Sequence, residues 1–400
     1  MRILVDYRPA LHERTGVGEY MHNLVRAYAH HAVAVDDQVA VFTSSWKDRP
    51  DAGLSSELGA RVVDRRVPVR ILNYLWHRLE WPPIEALAGT ADVVHAAHPL
   101  LIPSRRAAQV VTMHDLFFLT APHLTRAEIR RDYPELAAGH ARRADAIVTN
   151  SRYTAALVRK TFGVPDDRIH VCSPGAPVWT TLGRAPNLPR EGYILCVGTL
   201  EARKNVGALL DAYAHLLRRG RRVAPLVLAG RSTPDAAAWL ERVSSSPLAG
   251  HVRHLGYVPA ADRERLFAGA CLLVVPSLDE GFGIPVLEAM SAGVPVIAAN
   301  RGALPEVLGD AGTLVDPDDV EAFAAALGRM LDDRAFATAC AERGLARARE
   351  FSWNRAAVSL HRAYAVAVEN RRARAGHTVV TTAATGSRGP VASRNTVPMG

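Results

Sequence analysis

Short runs of β-branched and aliphatic residues alternate with longer amphipathic stretches along most of this 400-residue sequence. This alternation predicts parallel strands joined by crossover helices, because strands covered on both faces are apolar throughout while helices with one buried face repeat every three to four residues. In the first half we predict strands at 3–6, 39–43, 61–65, 93–95, 110–114, 146–150 and 169–172. Helices are predicted between them at 18–30, 73–87, 127–143 and 153–162.

The pattern stops between residues 173 and 189, where several prolines and a glycine interrupt the periodicity. It restarts with predicted strands at 193–197, 226–229, 252–255, 272–275 and 294–298. We therefore expect an α/β protein of two Rossmann-like, doubly wound domains that face a cleft, at 1–180 and 190–350. A helix is predicted at 351–375, and the Thr/Ser/Gly/Pro-rich tail at 376–400 is expected to be disordered because few of its side chains can form a core.

The chain carries a formal net charge of +8 and has a pI of about 9.6, which favours anionic partners without choosing among them. Its four cysteines form no CxxC pair, which fits a reducing compartment. Asp6 and Arg8 interrupt the first apolar run, and no run is long enough to span a bilayer, so a cytoplasmic protein is expected.

The most informative stretch is the run from Pro276 to Pro295, which predicts a strand, a glycine loop, a helix and a second strand. Gly281 and Gly283 would allow the backbone amides from Gly281 to Ile284, including that of Phe282, to approach an anion at the helix start. Glu280 and Glu288 would face the crevice that such sheets offer to ligands. The alternative is a tight turn that carries two solvated glutamates.

The run EGFGIPVLEAMSAGVPVIAA resembles the donor-binding signature of glycosyltransferase family four, in which seven residues separate two glutamates. The resemblance implies the GT-B fold, which consists of two Rossmann-like lobes. It also implies that Glu280 contacts the sugar of a nucleotide-sugar donor and that Glu288 contacts the ribose hydroxyls. Arg203 and Lys204 match the family's basic pair, which neutralises the donor diphosphate; a solvated loop pair is the alternative.

Three motifs of the first half follow the family order. Gly16 and Gly18 resemble the amino-terminal loop that approaches the donor, and His114 resembles the histidine that reaches the donor sugar or the reaction centre. The stretch from Asn150 to Thr154 is expected only to line the cleft. Because these motifs occur on both sides of the predicted junction, the likeness extends from about Gly16 to about Ala299.

No metal site and no cofactor beyond the donor are predicted. Asp316 and Asp318 have the spacing of a metal-binding DxD motif, but they precede a predicted helix and are expected to cap it. His251 and His254 lie in a predicted strand, where their spacing points them to opposite faces.

The resemblance implies a hexosyltransferase that retains the anomeric configuration of its donor. GDP-mannose is the first expectation for the donor and UDP-linked sugars are the second. The expected acceptor is a glycan or lipid-linked glycan of polysaccharide or lipopolysaccharide assembly, and nucleic acid is not an expected partner. A sugar-nucleotide epimerase of the same fold and a non-catalytic nucleotide-sugar binding protein are the alternatives.

Residues 65–81 combine four arginines with Tyr74, Trp76 and Trp81. Such a stretch would rest on the anionic inner face of the plasma membrane, which would make the protein peripheral. It would equally form an ordinary helix whose apolar face packs on the core.

Overall fold

The computed structural model describes residues 1–11, 14, 16–122, 125, 127–179 and 192–385, with only the backbone of 127–132 and 376–385. These residues form two lobes, each built on one parallel sheet with helices on both faces. The prediction of two doubly wound α/β units therefore matches the architecture. The predicted domain junction falls largely at 180–191, which lies outside the described residues.

The first lobe contains a seven-stranded sheet with the strand order β3-β2-β1-β4-β5-β6-β7. Its strands are β1 Arg2–Asp6, β2 Gln38–Ser44, β3 Arg61–Arg65, β4 Val93–Ala96, β5 Ala108–Met113, β6 Ala146–Thr149 and β7 Ile169–Val171. Its α-helices are α1 Gly16–Ala34, α2 Leu54–Leu58, α3 Val69–Tyr74, α4 Glu85–Ala88, α5 Phe117–Thr120, α6 Ala127–Arg143 and α7 Arg152–Phe162. Short 3-10 turns cover Arg8–Ala10 and Asp166–Arg168.

The second lobe contains a six-stranded sheet with the strand order β10-β9-β8-β11-β12-β13. Its strands are β8 Tyr193–Val197, β9 Leu226–Ala229, β10 Val252–His254, β11 Ala270–Val275, β12 Val296–Ala299 and β13 Thr313–Val315. Its α-helices are α8 Val206–Arg218, α9 Ala237–Val243, α10 Ala260–Ala268, α11 Ile284–Ser291, α12 Leu304–Leu308, α13 Val320–Asp332 and α14 Arg334–Ala348. Short 3-10 turns cover Ala202–Lys204 and Pro234–Ala236. All pairings in both sheets are parallel, and β13 is a strand that the sequence pattern did not predict.

The strand order reverses once in each sheet, between β1 and β4 in the first lobe and between β8 and β11 in the second. Open parallel sheets bind ligands at such switch points, outside the carboxyl ends of the strands. The loops that follow β8 and β11 carry Arg203, Lys204 and Glu280. The topology thus explains why these side chains, about 76 residues apart in sequence, meet at one edge.

The last helix, α15 at Trp353–Thr385, returns to the first lobe instead of staying with the second sheet. Ala356, Leu360 and Tyr364 are buried in the same apolar cluster as helix α1. The Tyr364 hydroxyl also lies 2.8 Å from Nδ1 of His95 on β4. The helix continues ten residues beyond its predicted end at 375, so the first part of the predicted disordered tail is helical; 386–400 lie outside the described residues.

The helix predicted at 73–87 is wrong in its extent. The chain forms α3 at Val69–Tyr74, a π-helical turn at Leu75–Leu79 and the separate α4 at Glu85–Ala88. Pro82 and Pro83 explain the break, because a proline lacks the N–H that a helix interior requires and disfavours helical backbone before it.

Candidate active site

A cleft of about 300 Å³ lies between the lobes at the switch points of the two sheets. Most of the predicted site residues line it: Gly16, His114, Arg203, Lys204, Glu280, Gly281, Phe282, Gly283 and Ile284. Gly18 and Glu288 are not among the residues that line it. The structure therefore brings most of the sequence-predicted set to one gap.

Glu280 and the basic pair form one buried ionic cluster on the second-lobe wall. Lys204 Nζ lies 2.5 Å from Glu280 Oε1, and Arg203 Nη1 lies 3.4 Å from Glu280 Oε2. The Ser277 hydroxyl donates to Glu280 Oε1 at 2.8 Å. Arg203 also donates to Glu201 at 2.8 Å, which fixes the guanidinium at the cleft wall. The predicted alternative of a solvated loop pair is excluded, because both cations are largely buried.

The electrostatics of this cluster keep Glu280 ionised. Burial alone would raise the pKa of Glu280, but the neighbouring charges of Lys204 and Arg203 outweigh it and lower the pKa to about 2. Arg203 also pairs with Glu201 and lies 3.9 Å from Asp115, but Arg14, Arg231 and Arg263 line the same cleft, so its cations outnumber its carboxylates. Such a wall attracts an anionic group, and a diphosphate is an anion that this geometry can neutralise.

The glycine loop places the backbone of Gly281 against the first lobe. A Cβ atom at Gly281 would lie 1.8 Å from the carbonyl oxygen of His114, so only glycine fits at this contact. Gly283 has φ of 96°, in the left-handed region that favours glycine, and it immediately precedes α11. The loop therefore delivers the N-terminal amides of α11 to the cleft, where they favour an anion.

Phe282 contributes its backbone to the cleft, but its side chain is buried in the second-lobe core. Its ring packs edge-on against Phe351 with centroids 5.7 Å apart.

Glu288 lies behind the cleft wall and is paired with an arginine that the sequence analysis missed. Arg263 Nη2 donates to Glu288 Oε2 at 2.6 Å, and Arg263 itself lines the cleft. Burial raises the pKa of Glu288 although Arg263 opposes this shift. Arg263 and Glu288 therefore form a second ion pair at the cleft, in addition to the cluster around Glu280.

His114 directly follows β5 on the first-lobe wall, one residue beyond the end of the strand, which was predicted to include it. Its Nε2 lies 3.0 Å from the carbonyl oxygen of Ala97, and its ring packs edge-on against Tyr20. A carbonyl only accepts, so this contact requires the proton on Nε2 and leaves Nδ1 as an acceptor. Burial lowers the pKa of His114, which keeps the ring neutral near pH 7. A neutral imidazole can accept a hydrogen bond from a sugar hydroxyl.

The two glycines of the first-lobe loop have different surroundings. Gly16 lines the cleft, and a Cβ there would meet nothing within 4 Å. Gly18 is buried, and a Cβ there would lie 2.6 Å from the carbonyl oxygen of Pro9. Glycine at this position allows close packing of α1 on the preceding turn, and the contact of Gly18 with the donor stays a prediction. Glu13 and Thr15 lie outside the described residues.

Besides Arg263, the cleft lining includes Arg14, Arg231 and Tyr257, which were not singled out from the sequence. Arg231 and Tyr257 follow β9 and β10, so they occupy the same edge of the sheet as the predicted motifs. The Tyr257 hydroxyl donates to the carbonyl oxygen of Arg14 across the cleft at 3.4 Å, and the Arg231 guanidinium lies over the Tyr257 ring. The rule that ligands bind at carboxyl strand ends would have identified the two loops, but not the side chains.

Within the part of the chain that the structure describes, no group of three or more His, Cys, Asp or Glu side chains is arranged to hold a metal ion. Asp316 and Asp318 both pair with Arg301. The cap of α13 is Asp319, whose carboxylate accepts from the Ala322 amide at 2.8 Å, so the expected capping function belongs to the next residue.

The stretch at 65–81 has both buried and exposed apolar side chains, and the membrane contact predicted for it remains a prediction. Leu72 and Trp76 are fully buried in the first-lobe core. Ile71, Tyr74, Leu79 and Trp81 are each more than half exposed, and arginines 65, 66, 70 and 78 are exposed around them. Among the described helices, none has the length and apolarity needed to cross a bilayer.

Two family models of glycosyltransferases match this chain, one in each lobe. Residues 14–178 match the family model described as Glycosyltransferase Family 4, and residues 191–333 match the one described as Glycosyl transferases group 1. The O-antigen chain mannosyltransferase B of Escherichia coli is 33% identical over 388 residues, which cover 91% of this chain and 99% of that protein.

Two solved structures share the fold. Sucrose-phosphate synthase from Thermosynechococcus elongatus has a TM-score of 0.72 at 21% identity and covers 91% of this chain and 98% of its own. Anabaena Alr3699/HepE in complex with UDP and glucose has a TM-score of 0.68 at 18% identity and covers 90% of this chain and 98% of its own.

Two Rossmann-like lobes with a cleft between their switch points define the GT-B fold, so the predicted fold class is confirmed, and the matched family models make the protein a glycosyltransferase. The matched models and the full-length relative identify the group more closely. The chain belongs to glycosyltransferase family 4.

Proposed function

We propose that this glycosyltransferase moves mannose from GDP-mannose to a lipid-linked glycan during assembly of a bacterial surface polysaccharide, with retention of the anomeric configuration. The similarity to the O-antigen chain mannosyltransferase B, which covers 99% of that protein, supports mannose as the transferred sugar and a surface glycan as the acceptor. Retention is what the resemblance to glycosyltransferase family four implies, and GDP-mannose is the first expectation for the donor. UDP-glucose is the second candidate donor, because a structural neighbour has been solved with UDP and glucose.

The observation that carries the proposal is the ionic cluster beside the glycine loop. Arg203 and Lys204 line the cleft together with the Gly281 to Ile284 backbone, so a diphosphate between them would contact cations on one side and helix-start amides on the other. Glu280, which is fixed between the two cations, would accept hydrogen bonds from the donor sugar.

The proposed reaction is a displacement on one face of the sugar. The bond between the sugar C1 and the diphosphate oxygen breaks while the acceptor hydroxyl oxygen bonds to C1, and the hydroxyl proton passes to the departing phosphate oxygen. Arg203, Lys204 and the loop amides stabilise the charge that grows on the diphosphate. His114 Nδ1 would accept a hydrogen bond from a donor hydroxyl and orient the ring.

A donor panel tests the proposal. The protein is incubated with GDP-mannose, UDP-glucose, UDP-galactose or UDP-N-acetylglucosamine and a lipid-linked mannose acceptor, and nucleotide diphosphate and product are quantified. We expect mannose transfer from GDP-mannose, with an α-linkage by NMR. Isomerised donor, binding without turnover, or transfer from a UDP-sugar alone would each reject it.

We also propose that the reaction needs no metal ion, since the two cations are placed to neutralise the diphosphate. Transfer should therefore survive prior treatment with excess EDTA. Loss of activity with EDTA and recovery with Mg²⁺ or Mn²⁺ would reject this part.

The exposed apolar and basic surface at 65–81 is proposed to bind anionic lipid at the inner face of the plasma membrane. Ile71 and Trp81 would enter the interface while the arginines contact headgroups. The test is flotation with vesicles of phosphatidylglycerol and phosphatidylcholine, comparing wild type with the double variant Ile71→Ser and Trp81→Ser. Trp46→Ser is the matched control, because Trp46 is 70% exposed outside this stretch. Equal flotation of all three proteins would reject the proposal.

A further inference from the structure

The start of α7, from its cap Ser151 to Thr154 in its first turn, contacts the second lobe through each of its four residues. From its sequence, this segment is expected only to line the cleft. The α7 helix begins at Arg152 and is capped in its own lobe by Ser151, whose hydroxyl accepts from the Thr154 amide at 3.0 Å. A capped helix start is rigid, which makes it a suitable support for a contact between lobes.

Two hydroxyls of this turn hold the glycine loop. Ser151 Oγ donates to the carbonyl oxygen of Gly281 at 2.6 Å, and Thr154 Oγ1 lies 3.3 Å from the same oxygen. Thr154 Oγ1 also lies 3.3 Å from the carbonyl oxygen of His114. The Thr154 hydroxyl therefore lies between the backbone of His114 in the first lobe and the backbone of Gly281 in the glycine loop.

A carboxylate from the second lobe binds the start of α7. Glu306 on α12 accepts from the backbone amides of Arg152 and Tyr153, each at 3.0 Å, through its two separate oxygens. The positive end of the α7 dipole strengthens this contact, because helix starts stabilise negative charge. The Tyr153 side chain also lies close to the Asp279 carboxylate of the second lobe.

The helix that carries Glu306 is itself joined to the ionic cluster. The amide of Ala303, just before α12, donates to the carbonyl oxygen of Glu280 at 2.8 Å. A Cβ atom at Gly302 would lie 2.6 Å from both the amide nitrogen and the carbonyl oxygen of Glu280, so this approach requires glycine. The hydroxyls at the start of α7 thus contact Gly281 directly. The contact with Glu306 reaches the same segment through α12, because Ala303 at the start of α12 binds Glu280.

We infer that Ser151, Thr154 and Glu306 form a latch between the lobes that positions the Glu280–Gly281 segment against His114 for sugar transfer. The inference rests on the proposed function, since it assigns the latch to the transfer step. These are positioning residues: they set where Glu280 and His114 lie without touching the diphosphate. Closed lobes exclude water, so an intact latch also favours transfer over hydrolysis of the donor.

The test uses the full chain with Thr154→Val and Glu306→Ala, separately and combined. Valine keeps the shape of Thr154 but removes the hydroxyl, and Thr154→Ser restores it. Asp333→Ala is the matched control, because it removes a helix cap with a 2.9 Å hydrogen bond in α14, outside the latch. The readouts are kcat, the Kd for GDP, the ratio of hydrolysed to transferred donor, and the radius of gyration from X-ray scattering.

We expect the combined variant to lose about tenfold or more in kcat, because the buried carbonyl of Gly281 loses a donor and closure is weakened. Its Kd for GDP should stay within about twofold of wild type, its hydrolysed fraction should rise, and Thr154→Ser should recover kcat. Unchanged kcat, or a kcat loss matched by Asp333→Ala, would overturn the inference.

Scattering separates this result from failure of the proposed function. If wild type transfers no sugar from any donor, the proposed function fails. The combined variant must still show a larger radius of gyration than wild type and Asp333→Ala, because an unlatched cleft opens. An identical radius in all three proteins would overturn the latch on its own.

Discussion

Replacing Glu280 with glutamine removes the negative charge from the ionic cluster while keeping the shape of the side chain. The lowering of the pKa of Glu280 from 4.5 to about 2 means that its ionised form is favoured by about 3 kcal/mol relative to an unfolded chain. Glu280 is 6% exposed, so solvent screens little of this interaction. We expect Glu280→Gln to lower the free energy of unfolding by about 2–3 kcal/mol near pH 7.

The same substitution should separate nucleotide binding from transfer. Lys204 and Arg203 lose their shared anion, so the cleft becomes more positive and GDP should bind at least as tightly as in wild type. Transfer should fall by about 100-fold or more, because the carboxylate no longer accepts hydrogen bonds from the donor sugar. Urea denaturation, calorimetric titration with GDP and initial rates measure the three effects.

Asp211→Asn is the control for this experiment. It also converts an acid to an amide and removes an ion pair, with Arg242, but both partners are about half exposed, so stability should change by no more than about 0.5 kcal/mol.

The pH dependence of stability gives a further check. A lowered carboxyl pKa stabilises the fold above pH about 4.5, and this contribution is lost as the pH falls toward 2. A Glu280→Gln protein with wild-type stability and transfer, or with weakened GDP binding, would refute the reasoning.

Three further predictions follow from single contacts. Gly281→Ala should reduce transfer by about 100-fold, since its Cβ would overlap the His114 carbonyl and hold the lobes apart; normal kcat would contradict this. Gly18→Ala should lower the free energy of unfolding by about 1–3 kcal/mol through its clash with Pro9, yet leave the Kd for GDP unchanged; a change in Kd would place Gly18 in the site. The first lobe should lose stability as the pH falls from 7 to 5. Burial lowers the pKa of five histidines to about 3 or 4, so over this range the unfolded chain binds protons that the folded lobe does not bind. A denaturant midpoint that does not change between pH 7 and pH 5 would contradict this prediction. These histidines are His22, His77, His95, His98 and His140.

The hydrophobic pattern predicted the twelve strands from β1 to β12. It could do so because strands of a parallel sheet that are covered on both faces form short apolar runs. It did not predict β13, a three-residue strand of which two residues are only partly buried. The return of α15 to the first lobe was also missed. Its amphipathic pattern shows that one face is buried, but the pattern does not say which lobe covers that face.

Local motifs identified the ionic cluster because Arg203, Lys204 and Glu280 all follow strands of one sheet. Their pairing depends on β8 and β11 being neighbours, and strand order is not readable from spacing. The sequence does not distinguish Gly16 from Gly18. The folded structure does, because Gly16 lines the cleft and Gly18 packs against Pro9. Arg263 lies on a surface helix, where an arginine carries no signal until the fold places Glu288 beside it.

The most direct test of the account is a structure of the protein bound to GDP. The account predicts that the diphosphate lies between the Arg203 and Lys204 side chains and the backbone amides from Gly281 to Ile284, with both lobes in contact with the nucleotide. A diphosphate bound away from both cations, or a nucleotide held outside the cleft, would contradict it.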